Sequence, residues 1–102
     1  MARRLILHEK LCELLGSRNV YFQPPASVQL KYPCIIYNLA KHDAQYADDL
    51  RYLNRQAYDC TYITRDPDSG LPEVLLQSFL YIGHQRHWTV DNLHHDLFRI
   101  YF

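Results

Sequence analysis

Leu7, Leu11, Leu14 and Leu15 fall at i, i+4, i+7 and i+8, with Ile6 and Cys12 beside them and Gly16 following. This spacing predicts a helix over Arg3–Leu15 with one apolar stripe, stopped by the glycine. Arg3 and Arg4 put positive charge at the positive end of its dipole, a poor local start. NVYFQPP then reads as a short extended segment closed by Pro24 and Pro25, which places it at a sheet edge. In KYPCIIYNLA, Cys34, Ile36 and Asn38 alternate against Ile35, Tyr37 and Leu39. Apolar residues on both faces predict a central strand.

QAYDCTYIT alternates more plainly, with Tyr58, Cys60 and Tyr62 on one face and Asp59 and Thr61 on the other. RDPDSG is a turn, in which Ser69 and Gly70 supply capping and tolerance of positive φ. Pro72 and Glu73 suit a first helical turn. Leu75, Phe79 and Ile82, with Leu76 and Leu80, form the stripe of a second helix that reaches about Tyr81 and stops at Gly83. HQRHWTV is expected to turn Trp88 and Val90 inward, Asp91-Asn92 to turn the chain, and DLFRIYF to close the sheet with Phe98, Ile100 and Phe102 on one face. The order α-β-β-β-α-β-β has no repeated βαβ unit. It predicts one α+β domain over 1–102, a mainly antiparallel sheet of four to five strands with two helices on one face.

Composition narrows the function classes. The chain has 102 residues, 11 basic against 11 acidic side chains, and a formal net charge of zero. No bulk field steers it to nucleic acid or to anionic lipid. No stretch approaches a membrane span, and His8, Glu9 and Lys10 interrupt the apolar run a signal peptide needs, so a cytosolic site of synthesis is expected. Cys12, Cys34 and Cys60 lack CxxC spacing and sit in apolar patterns, as reduced core thiols do. Nine tyrosines exceed what such a core requires, and aromatics with a polar tip are what protein interfaces collect.

No arrangement stands out as catalytic or cofactor-binding. His84 and His87 fall on opposite faces of a regular strand, as do His94 and His95, so no zinc site is expected. Cys34 and Cys60 lie at no strand-to-helix turn or helix N-terminus that would stabilise a thiolate. Asp43, Asp48 and Asp49 lack the spacing and glycine of an EF-hand loop. No P-loop, GxGxxG or GxSxG occurs. Arg3, Arg4, Arg51, Arg55, Arg65, Arg86 and Arg99 are interleaved with acids and make no basic stripe.

The longest polar connection, YADDLRYLNR between the second and third strands, exceeds what a hairpin needs. VYFQPPASVQLKYPCIIY, YADDLRYLNRQAYDCTYITRDPDSGLPEVL and DNLHHDLFRIYF resemble the tail terminator, or tail-completion, proteins of long-tailed bacteriophages and prophages, over nearly the whole chain from Val20. The resemblance implies a structural protein, not an enzyme, that binds no cofactor or metal. It would form a hexameric ring at the head-proximal end of the tail tube in the virion, after assembly in the host cytoplasm. Its implied partners are copies of itself, the tail tube protein and a head-tail connector, with DNA passing through the ring without sequence-specific binding and no membrane involved. A head-closure or adaptor protein of the same module is the neighbouring alternative, and a generic protein-binding module is the alternative from another class. Tyr46, Asp48, Asp49, Arg51, Tyr52 and Arg55 offer both charges and aromatic anchors, and are the expected subunit or partner interface.

Overall fold

The computed structural model describes residues 3–40 and 56–102, with no side-chain description for Arg3. Two helices and five strands follow in the order α1 (Arg3–Leu15), β1 (Val20–Phe22), β2 (Cys34–Leu39), β3 (Ala57–Thr64), α2 (Leu71–Ser78), β4 (Ile82–Val90) and β5 (Leu93–Tyr101). The strands form one sheet in the order β1-β2-β3-β5-β4. β1 runs parallel to β2, and every other neighbouring pair is antiparallel. The α+β order read from the sequence therefore holds, with the short proline-ended β1 at an edge as expected.

Both helices lie on one face. Leu7, Leu11 and Cys12 of α1, with Leu75 of α2 and Phe79 just beyond it, bury against Ile35 and Tyr37, Tyr58, Cys60 and Tyr62, and Phe98 and Ile100. The register explains why these side chains meet, since Tyr37 pairs with Cys60 and Cys60 with Phe98 across three adjacent strands. Removing such a set from water is the main force that orders the sheet. Leu14 and Leu15 pack at its margin, whereas Ile6 is half exposed, off the stripe. Gly16 adopts φ +81° and its N–H donates to Cys12 O at 2.9 Å. A side chain there would be strained, so glycine ends α1 as anticipated.

The turn before α2 is built by its own side chains. Asp68 N–H donates to Asp66 Oδ1 (2.9 Å), and Ser69 Oγ accepts from Leu71 N–H (3.3 Å) while meeting the Tyr62 hydroxyl (2.9 Å). Gly70 occupies the N-cap position with φ −86°, so no positive φ is needed there. Asp91 and Asn92 both have positive φ, 54° and 64°. This is the twist a two-residue hairpin between β4 and β5 demands.

α2 ends at Ser78, three residues before the predicted Tyr81. Phe79 is already extended (φ −121°, ψ 142°). Ile82, read as a stripe residue, instead pairs with Ile100, and Tyr81 O accepts from Tyr101 N–H at 2.9 Å. Ladder bonds to β5 win over helical spacing, so Gly83 lies within β4 and stops nothing. Leu76 and Leu80 are correspondingly exposed, Leu80 by 80%. Lys10 of α1 donates to Ser78 O at 2.7 Å and its ammonium lies over the Phe79 ring. It supplies the cation that the last turn of α2 lacks.

A bulge in β4 produces the largest departure from the expected pattern. His84 pairs with Phe98 and Arg86 with Leu97, so Gln85 is an extra residue without a partner on β5. The alternation slips by one. Trp88 and Val90, expected inward, lie on the face away from the helices, and Val90 is half exposed. Trp88 there stacks on His95 (5.0 Å between centroids, 15° between planes) with the Arg86 guanidinium 5.0 Å from its ring centre.

Candidate functional site

Tyr46, Asp48, Asp49, Arg51, Tyr52 and Arg55, the interface residues expected from the sequence, lie outside the described residues, as does Asp43. Their two points of attachment are described. Ala40 N–H donates to Ala57 O (2.9 Å), and Gln56 exchanges two backbone hydrogen bonds with Phe102 (3.0 and 3.3 Å). Both ends of the 41–55 segment therefore leave from neighbouring positions at one end of the sheet.

Beside this base sits a polar group set into the apolar core. Tyr37 is fully buried, yet its hydroxyl accepts from Arg4 Nη1 (3.3 Å) and lies 2.8 Å from His8 Nδ1. The Arg4 guanidinium also covers Phe22, 4.4 Å from its ring centre. Burial first, then the nearby Arg18 and Arg4 charges, hold the His8 pKa below its ordinary value of 6.5, despite the opposing Glu9 carboxylate. In the neutral ring Nδ1 can accept a hydrogen bond from the Tyr37 O–H, which leaves the phenolic oxygen to accept from Arg4.

A pH dependence follows from that shift. Because the unfolded chain protonates His8 more readily than the folded one, stability is greatest above about 6.5 and falls as pH drops through the lowered value. Melts at pH 7.5 and 5.5 should show a loss that His8→Gln reduces. An unchanged pH response in that variant would remove His8 as its source.

The cysteines behave as core residues. Burial raises the Cys12 thiol pKa, pushes Cys34 up to about 11 and raises Cys60 further, with the Asp59 carboxylate adding to the burial at Cys60. All three are free and buried. Nothing here favours a thiolate at neutral pH.

Four arginines considered for nucleic acid each have an intramolecular partner. Arg4 bonds Tyr37, Arg65 lies 5.6 Å from the Tyr32 ring centre, and Arg86 covers Trp88. Arg99 Nε donates to Asp59 Oδ1 at 3.0 Å on the face away from the helices.

The histidines depart from expectation. The Gln85 bulge brings His84 and His87 to the same face, where His84 Nε2 (3.0 Å) and His87 Nδ1 (2.8 Å) both donate to Asp96 Oδ1. Asp96 is well shielded, its side chain 13% exposed. The His84 ring stands edge-on to Phe98 (5.1 Å), and His87 stacks on His94 (6.0 Å, 22°). His94 and His95 do lie on opposite faces, as regular alternation requires. A cue for the cluster is two imidazoles three apart facing a carboxylate on the next strand, but only the bulge makes them converge.

Comparison with protein-family models, with curated proteins and with solved structures finds no match.

Proposed function

We propose that the protein is a virion assembly protein of a long-tailed bacteriophage. It forms a ring at the head-proximal end of the tail tube, ends tube polymerisation and offers the joining surface for the head. The reading rests on the sequence resemblance over nearly the whole chain. The observation that supports it is the anchoring of segment 41–55, whose ends at Ala40 and Gln56 are hydrogen-bonded into the rigid sheet.

A closed ring requires one surface of each subunit to meet a different surface of the next. A polar segment carried by a packed scaffold can supply such a contact without disturbing the core. In this reading Tyr46 and Tyr52 are aromatic anchors, and Asp48, Asp49, Arg51 and Arg55 provide complementary charges. DNA passes through the ring without being read. Arginines engaged within the subunit are consistent with that role.

The test is assembly. Negative-stain imaging of the chain mixed with tail tube protein should show rings or capped tube ends. Reversing both charges, Asp49→Arg with Arg51→Asp, should reduce capping and lengthen tubes while leaving the melting temperature nearly unchanged. Unaltered capping and tube length would remove this segment as the contact. A folded monomer that never associates with tubes would remove the reading itself.

A further inference from the structure

Among the described residues, polar contacts tie α1 to α2 and to the sheet at different points along the helix. Lys10 fastens its middle to the end of α2 through Ser78 O. Its beginning is fastened to β2 through one oxygen, the Tyr37 hydroxyl, which meets Arg4 Nη1 at 3.3 Å and His8 Nδ1 at 2.8 Å. That second tie depends on the protonation state of His8. A neutral imidazole can accept at Nδ1, so the Tyr37 O–H has an acceptor and its oxygen still receives the Arg4 N–H. An imidazolium donates at both nitrogens. Arg4 and His8 would then aim donors at the same oxygen, and the phenolic proton of a fully buried residue would lose its acceptor. A buried hydroxyl without a partner is costly.

The charges around His8 deepen the conflict. On α1 it faces Arg4 and Glu9, with Cys12 one turn on, and Arg18 approaches from the loop after the helix. Tyr37 comes from β2, with Tyr58 and Cys60 of β3 behind it. β1 supplies the uncharged Phe22 ring. Glu9, the carboxylate among these groups, is already bound by Arg18 through both oxygens, at 2.8 and 3.0 Å. No acidic residue lies in the first turn of α1. A positive charge on His8 therefore joins two guanidinium groups near the positive end of the helix dipole.

We propose that the Arg4–Tyr37–His8 contact is an acid-operated latch: protonation of His8 frees the first two turns of α1 from β1 and β2 while α2 and the rest of the sheet stay folded. A solvent proton is taken up at Nδ1, the bond from the Tyr37 hydroxyl breaks, and the imidazolium moves into water. Phe22 loses the guanidinium that covers it. Burial of Leu7 opposes release and keeps the latch closed at neutral pH, and Leu11 and Cys12 hold the second half of the helix in the core. Local opening of this kind needs less free energy than loss of the whole fold. The inference does not depend on the assembly reading.

Hydrogen exchange of the complete chain between pH 7.5 and 4.5, corrected for the intrinsic effect of pH on exchange, tests it. The N–H groups of residues 7–10 bond back to residues 3–6 and report the first turns. The freed ring binds a proton more readily than the held one, so these amides should lose protection as pH falls below about 6.5, by at most about tenfold per pH unit, the limit for one proton. The loss should level off where the His8 ring-proton shifts titrate, and amides of α2, β3 and β5 should keep their protection. His8→Gln, whose amide oxygen can still accept from the Tyr37 O–H, should hold residues 7–10 protected throughout. Tyr37→Phe should leave them poorly protected at both ends of the range. The comparison of regions within the unaltered chain stands even where a variant does not fold. Protection lost equally from α1, β3 and β5, or a pH response in residues 7–10 that persists in folded His8→Gln, overturns the proposal.

Discussion

Phe98→Ala is expected to cost about 3–5 kcal/mol of unfolding free energy. Small domains have about 5–15 kcal/mol in total, so this one change brings the chain close to unfolding. Phe98 is completely buried and pairs across the sheet with Cys60 on one side and His84 on the other. Its neighbours cannot collapse into the vacated space, because two are backbone-anchored strands and the third layer is helix. Urea denaturation should show a lower midpoint with an unchanged slope. A loss below about 1 kcal/mol, less than any typical buried Phe→Ala change, would contradict the described core.

Tyr37→Phe removes one oxygen and no apolar packing, yet a loss of about 1–3 kcal/mol is expected. The ring would stay among Phe22 and Tyr58, whose centroids are 4.9 and 6.0 Å away. Arg4 and His8, however, would lose their shared partner at a partly buried position. The cost is that of stranded polar groups, mainly at the start of α1. Tyr21→Phe is the appropriate contrast. Among the described residues its hydroxyl accepts a long, exposed bond from Lys31 N–H at 3.4 Å, so its loss should fall within about 0.5 kcal/mol. Equal effects in the two variants would mean that the Tyr37 network adds nothing.

These two residues also mark what the sequence makes readable. Phe98 could be placed inside because its strand alternates without a break, whereas apolar residues on both faces of β2 left the facing of Tyr37 to its strand partners. Leu7 and Leu11 fixed the buried face of α1, and Gly16 its end, by local rules alone. The DPDS turn declared itself through side chains that bond to their own backbone, a purely local effect.

What was misread or left open has a different character. Whether Ile82 continues a helix or enters a strand depends on β5, which lies many residues downstream. The parallel pairing of β1 likewise depends on a partner rather than on VYF itself. At Gln85 a single unpaired residue reversed the facing of His87, Trp88 and Val90 together, and no residue type there announces it. His84 and His87 were read onto opposite faces by a regular-strand argument that this bulge removes. The interface residues Tyr46 to Arg55 were chosen for charge and aromatic content, and their placement lies outside the described residues.

The hydrogen bond between Ala40 and Ala57 has a consequence for how this protein can vary. The sheet itself holds the two attachment points together. Doubling the length of a flexible closure costs only about 0.6 kcal/mol. Changes of length between these positions should therefore cost the described sheet little.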